Sequence, residues 1–201
     1  MKEMNAPNRY AELFIDQYNN PESDHWDTIY QDFDAAVDWP TAAFVEPLVE
    51  KYPDAKIILT ERDPDAWIKS MNNTILRFRN HNEEKLRKLD QAEWTPEQNA
   101  RRDMADKIIL GGLRSRATEH ITDENVKAMF LEHNARIKAI VPKERLLVMD
   151  TTEMNWKALC DFLGITDIPK EPFPRVNSTA DAKARFARER GDRNKGIFVQ
   201  H

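Results

Sequence analysis

Apolar residues in this chain fall either into short continuous runs or into stretches with helical spacing. Three continuous runs predict buried strands, at residues 34–38 (DAAVD), 55–60 (AKIILT) and 145–150 (RLLVMD). Runs of this kind are typical of parallel strands that are covered on both faces. Because helical segments alternate with these strands, the pattern predicts an α/β fold with a parallel sheet flanked by helices.

The segments between the strands carry the sequence signals of helices. We predict helices at residues 9–18, 39–52, 122–141 and 155–163, and a further helix of about four turns from residue 65. Pro47 predicts a kink or a late start in the second helix. Asp63 and Pro64 suit the cap and first turn of the helix that follows residue 60, and Asp123 suits a later N-cap. Gly164 is expected to end the last helix.

The length and the absence of repeats or a linker favour one domain spanning residues 1–201. Within it we distinguish a polar N-terminal segment (1–33), an α/β core (34–168) and a basic C-terminal tail (169–201). The basic run in the tail is typical of a solvated helix face, and the alternative is a lid over an anionic ligand.

Charge and composition exclude several classes of function. The net charge of −5 argues against nucleic-acid binding through a basic surface. Cys160 is the only cysteine and is expected to be a buried thiol, and the five histidines lack metal-ligand spacing, so no metal site is predicted. Neither a signal peptide nor a membrane span is seen, so we expect a cytoplasmic protein with no membrane partner.

The tips of all three predicted strands carry charged residues, at Asp38, at Arg62 with Asp63, and at Asp150. Ligands of parallel sheets collect at the carboxyl ends of the strands, so these side chains are candidates for a binding site. A guanidinium matches two phosphate oxygens, and a serine hydroxyl can donate a further hydrogen bond, so Arg62 and Ser70 form a candidate phosphate clamp. The alternative is that Arg62 pairs with a neighbouring carboxylate and Ser70 is an ordinary helix residue.

Asp38 is the candidate catalytic residue. At a strand end beside Trp39 and Pro40 it could act as a base or orient an acceptor. A cap or an ion pair is the structural alternative.

Four stretches carry a family resemblance: AAVDWPTAAF, YPDAKIILTERDPDAWIKSM, HNARIKAIVPKERLLVMD and WKALCDFLGI with PFPRVN. In this order, from about residue 34 to residue 177, they resemble the sulfotransferase-like branch of the P-loop superfamily that is widespread in fungi. The resemblance implies a P-loop, sulfotransferase-like fold. It also implies sulfuryl transfer from 3′-phosphoadenylyl sulfate to a hydroxyl or amine of a small-molecule acceptor, in a pathway that could belong to secondary metabolism. Carried over residue by residue, Arg62 and Ser70 would bind the 3′-phosphate of this co-substrate.

The chain departs from the family pattern at its N-terminus. Relatives begin with a strand, a Gly-rich phosphate loop and a helix, whereas the five glycines here form no such loop and the opening MKEM resembles the strand that comes next. We therefore expect the first strand, the phosphate loop and the first helix to be missing.

This departure leaves three hypotheses open. In the first, the chain is a sulfotransferase. In the second, it is a non-catalytic or repurposed relative that serves as a binding or assembly partner or performs different chemistry in the remaining cleft. In the third, its coding sequence begins upstream of Met1. A sheet without its first strand would expose an edge, which predicts a homo-oligomer formed through that edge.

Overall fold

The computed structural model describes residues 9–74, 76, 95–108 and 122–175. In chain order the elements of these ranges are α1 (Arg9–Asn19), α2 (Trp26–Tyr30), a 3₁₀ turn (Thr41–Phe44), α3 (Val45–Lys51), β1 (Ile57–Glu61), α4 (Pro64–Asn73), α5 (Pro96–Ile108), α6 (Asp123–Ile140), a 3₁₀ turn (Lys143–Arg145), β2 (Leu146–Asp150) and α7 (Trp156–Leu163). The helix after β1 is shorter than the four turns predicted, because α4 ends at Asn73 with Thr74 as its C-cap. The predicted tail helix lies outside the described residues.

Contacts between Cα atoms divide the chain into two compact units, each assembled from segments far apart in sequence. Unit 1 comprises Met1–Leu48, Asn80–Asn125 and Gln200–His201, and unit 2 comprises Val49–Arg79 and Val126–Val199. Both strands lie in unit 2.

Unit 1 is built around packed aromatic rings. Phe14 of α1 stacks on Phe44 with 5.9 Å between ring centroids, and Trp26 of α2 meets Phe44 edge-on at 5.1 Å. Trp26 also stacks on Tyr30 at 6.2 Å, and the hydroxyl of Tyr30 lies 2.9 Å from the hydroxyl of Thr41. These rings join α1, α2 and the first 3₁₀ turn into one buried cluster, because each ring removes a large apolar area from water.

The predicted strand at residues 34–38 is wrong. These residues form no strand and are exposed, with 66% of Val37 accessible to solvent. Two of the three apolar residues in DAAVD are alanines, so the run offers little apolar area to bury against a neighbour. The two strands of the described part pair with each other, so this short run gains no ladder of hydrogen bonds there.

Unit 2 contains the predicted parallel sheet. β1 and β2 pair in parallel, with Ile57 beside Leu146 at one end and Glu61 beside Asp150 at the other. The two predicted strands are thereby confirmed, and their carboxyl ends meet at one edge of the sheet. The residues that follow β1 and β2 therefore lie together, as the sequence predicted for a strand-end site.

Local capping chemistry fixes the helix ends of unit 2. Asp63 caps α4 by accepting a hydrogen bond from the Ala66 amide at 2.8 Å, and Pro64 occupies the first turn, as predicted. Gly164 ends α7 with a φ of 76°, a left-handed conformation that glycine adopts without strain.

Two helix starts refine the predictions from sequence. The predicted cap at Asp123 is wrong: α6 begins at Asp123, and the hydroxyl of Thr122 accepts from the Asn125 amide at 3.2 Å. The late start that Pro47 predicted is confirmed, because α3 begins at Val45 and Pro47 falls in its first turn.

Three further features of the described ranges bear on possible functions. Cys160 is buried and free, as expected. No helix of the described ranges is long and apolar enough to cross a membrane. The same ranges contain no group of three or more His, Cys, Asp or Glu side chains that could hold a metal ion.

Candidate functional site

Arg62 lies between β1 and α4, where the sheet ends and the helix begins. Its Nε atom is buried and has no hydrogen-bond partner within the described part of the chain. Leaving a buried donor unsatisfied costs about 1–3 kcal/mol, and more for a charged group. A buried guanidinium N–H without an acceptor is the feature expected of a binding site whose ligand supplies that acceptor.

Asp150 lies at the adjacent strand end, and its carboxylate accepts hydrogen bonds from a residue close to it in the chain. Its Oδ1 atom accepts hydrogen bonds from the amide of Thr152 at 2.7 Å and from the hydroxyl of Thr152 at 2.5 Å. These two bonds, with a smaller contribution from the positive charge of Arg62, hold the pKa of Asp150 below its ordinary value. Asp150 therefore attracts Arg62 at longer range without accepting from its Nε atom.

The N-terminus of α4 is occupied by the chain's own acidic groups. The Asp63 side chain accepts from the Ala66 amide, and the Asp63 carbonyl accepts from the Trp67 amide at 2.9 Å. Asp65, in the first turn, pairs with Lys127 of α6 at 2.5 Å. Because these carboxylates already neutralise the helix dipole, positive potential for an anion must come from Arg62 rather than from the helix end.

Ser70 lies six residues beyond Pro64 in α4, about 9 Å along the helix axis. It is half-buried, and its carbonyl accepts from the hydroxyl of Thr74 at 2.7 Å. Within the described ranges its own hydroxyl has no hydrogen-bond partner, and no bond joins it to Arg62. The structure thus leaves both residues of the predicted clamp with polar atoms available to a ligand.

Trp67 stacks on Phe130 of α6 with 4.4 Å between ring centroids and 16° between ring planes. Trp67 and Ser70 are three residues apart, so they share a face of α4, and the stacked rings hold that face against α6. The helix that carries Ser70 is therefore packed against α6.

Asp38 belongs to unit 1 and does not end a strand. Its backbone has a φ of 64°, its Oδ1 atom accepts from the Trp39 amide at 2.8 Å, and its carbonyl accepts from the Ala42 amide at 2.9 Å. The side chain thus bonds only to the next residue, and the 3₁₀ turn that follows has Pro40 at its N-cap and no side-chain cap. A catalytic role for Asp38 stays a prediction.

One residue of this region was missed in the sequence. Thr152 positions the carboxylate of Asp150 through two hydrogen bonds. The Asp-Thr-Thr string after β2 carried the signal, because aspartate at a chain reversal commonly accepts from the amide two residues later.

A family model described as "Sulfotransferase domain" matches residues 1–182 of the chain. The chain belongs to the sulfotransferase family. The family resemblance stated from the four sequence stretches is thereby confirmed, and the parallel sheet of unit 2 is consistent with the α/β fold of sulfotransferases.

A curated relative supports the same assignment. The chain is 28% identical over 166 residues to "Ava biosynthesis cluster protein M" of Aspergillus versicolor. The alignment covers 81% of this chain and 61% of the relative, so the chain spans less than two thirds of the length of the relative that it matches.

Proposed function

We propose that this sulfotransferase-family protein binds 3′-phosphoadenylyl sulfate, and that Arg62 and Ser70 hold the 3′-phosphate. The observation that carries the proposal is the buried Nε atom of Arg62, which lacks an acceptor within the described residues. A phosphate oxygen would satisfy this donor, and the Ser70 hydroxyl would donate to the same group. Both residues occur at the positions that the family resemblance assigns to this task.

The reaction proposed is transfer of a sulfuryl group to a small-molecule hydroxyl or amine. The acceptor oxygen or nitrogen forms a bond to sulfur, the bond from sulfur to the phosphate oxygen breaks, and the acceptor proton passes to a base, for which Asp38 is the candidate. The name of the relative refers to a biosynthesis cluster, which supports an acceptor from a biosynthetic, secondary-metabolic pathway.

Efficient transfer also requires fixed N–H donors around the leaving phosphate, and loss of one such donor typically costs about 10²–10³ in rate. Residues 1–201 contain five glycines and no Gly-rich loop that would supply those donors. We therefore expect these 201 residues to bind the co-substrate with little transfer of their own.

Calorimetric titration of the protein tests the proposed clamp. The product 3′-phosphoadenosine 5′-phosphate is expected to bind at least roughly 10-fold more tightly than adenosine 5′-phosphate, because the 3′-phosphate alone reaches Arg62 and Ser70. The preference should shrink at high salt, since ionic screening weakens it. Equal affinity for the two nucleotides would exclude a 3′-phosphate clamp.

A second candidate function, assembly, is favoured by the outer edge of β1. The carbonyl of Glu61 accepts from the Thr151 amide, so the backbone groups of residues 57, 59 and 61 point toward β2. Those of Ile58 and Thr60 point the other way, where no other strand of the described ranges pairs with them, and Ile58 is 40% exposed. An open apolar strand edge is a template for pairing with another chain.

We propose that a second copy of the protein covers this edge, giving a homo-oligomer. Light scattering after size exclusion should show a dimer or larger species, and Ile58→Lys should shift it toward the monomer because a charge is placed on the open edge. Thr151→Lys, beyond the end of β2, is the control and should leave the mass unchanged. A monomer at every concentration would rule out assembly through β1.

A further inference from the structure

Thr152 uses every one of its polar groups in a hydrogen bond, although it is an exposed residue of the loop after β2. Its amide and its hydroxyl donate to Oδ1 of Asp150 at 2.7 Å and 2.5 Å. Its carbonyl accepts from Nη2 of Arg175 at 2.8 Å. Hydrogen bonds on both sides therefore fix Thr152, and Thr152 in turn fixes the carboxylate of Asp150.

The carboxylate of Asp150 lies at the same end of the sheet as Arg62. Asp150 is the register partner of Glu61, the residue before Arg62, and the Glu61 carbonyl accepts from the Thr151 amide at 2.8 Å. The two bonds from Thr152 lower the pKa of Asp150 most, and the positive charge of Arg62 lowers it further. Asp150 and Arg62 are thus close enough to attract each other, yet the buried Nε atom of Arg62 has no acceptor among the described residues.

A carboxylate free to turn toward Arg62 would compete with an anionic ligand. Hydrogen bonds between a guanidinium and a carboxylate are among the stronger ones in proteins, and a phosphate uses the same N–H donors. While Thr152 holds it, Asp150 attracts Arg62 without occupying the Nε atom. The two bonds from Thr152 therefore keep available a donor that an unrestrained Asp150 would take.

We infer that Thr152 is a positioning residue of the phosphate site, which holds the Asp150 carboxylate away from Arg62 so that the Nε donor stays open to a 3′-phosphate. This inference rests on the proposed function and adds to it a residue that acts without touching the ligand. Arg175 supports the same arrangement, because it fixes the carbonyl of Thr152.

Thr152→Val tests this role, because it removes the hydroxyl donor and keeps the shape of an exposed side chain. We expect 3′-phosphoadenosine 5′-phosphate to bind to this variant roughly 3- to 10-fold more weakly, since Asp150 then competes for Arg62. Thr152→Ser keeps the hydroxyl and should bind as wild type does. Thr151→Val is the matched control, because its amide still bonds to Glu61, and it should leave the affinity unchanged.

A double-mutant cycle with Asp150→Asn separates positioning from a distortion of the loop. Asp150→Asn replaces the competing carboxylate by a neutral amide, so adding Thr152→Val to it should weaken binding no further. Calorimetric titration measures the four affinities. In Thr152→Val alone, the pKa of Asp150 followed by NMR should rise, because a hydrogen bond to the charged form is lost.

The outcomes separate this inference from the function on which it rests. Wild-type affinity in Thr152→Val, with the preference for the 3′-phosphate intact, overturns the role of Thr152 and leaves the clamp standing. An equal loss of affinity in the Asp150→Asn background also overturns it, because the loop itself would then be the cause. Wild-type protein that binds 3′-phosphoadenosine 5′-phosphate no better than adenosine 5′-phosphate overturns both.

Discussion

Arg62→Ala is expected to weaken binding of 3′-phosphoadenosine 5′-phosphate by roughly 10- to 100-fold, because hydrogen bonds to charged groups contribute about 1.5–3 kcal/mol. The loss should be confined to the 3′-phosphate, so the affinity for adenosine 5′-phosphate should change little. The free energy of unfolding should not fall, because the buried Nε atom has no partner to lose in the described part of the chain. Calorimetric titration and urea unfolding measure the two quantities.

Two variants sharpen the test of Arg62. Arg62→Lys keeps the positive charge but removes the Nε donor, so its affinity should fall between those of wild type and Arg62→Ala. Arg102→Ala is the matched control, because Arg102 is a half-buried arginine of unit 1 that pairs with Asp106, and its loss should leave the affinity unchanged. Equal losses for Arg62→Ala and Arg102→Ala would indicate a non-specific charge effect and contradict a clamp.

Trp26→Ala is expected to cost about 3–5 kcal/mol of folding free energy, the range for truncating a buried aromatic residue to alanine. Trp26 is 3% exposed, and its ring contacts those of Phe14, Tyr30 and Phe44. Removing it leaves a cavity at the junction of α1, α2 and the first 3₁₀ turn. Urea unfolding followed by circular dichroism measures the loss, and protection of the α1 amides from hydrogen exchange should fall with it.

The control for Trp26 is Val37→Ala. Val37 lies on the exposed 34–38 segment, so this substitution should change stability by no more than about 0.5 kcal/mol. A similar small change in Trp26→Ala would show that the aromatic cluster does not hold unit 1 together. A large loss in Val37→Ala would mean that the 34–38 segment is covered in solution.

Local chemistry made much of unit 2 predictable. The runs at residues 55–60 and 145–150 are rich in Ile, Leu and Val, and they became β1 and β2 because such residues bury apolar area on both faces of a parallel sheet. Asp63 and Gly164 fixed helix ends through a side-chain cap and a left-handed φ, and both act within a few residues.

The prediction failed where an element depends on a distant partner. DAAVD has the boundaries of a strand, but a strand forms only where another strand supplies hydrogen bonds, and its alanines bury too little area to compensate. The N-cap of α6 was predicted at Asp123, but Thr122 makes the capping hydrogen bond. Threonine and aspartate can both cap a helix, so a difference of one residue in the start of the helix decides which of the two is the cap.

The candidate site, like the fold, was predicted from the sequence only in part. The sequence by itself determined the family and two ligand-binding candidates, because Arg62 and Ser70 lie on one continuous strand-to-helix segment whose spacing is set locally. Tertiary structure alone decided that the Nε atom of Arg62 is buried without an acceptor among the described residues, and that Asp65 of α4 pairs with Lys127 of α6. These facts depend on which groups meet across β1, β2, α4 and α6. Burial and hydrogen bonding between segments more than sixty residues apart follow from the packing of the whole unit, which no local pattern encodes.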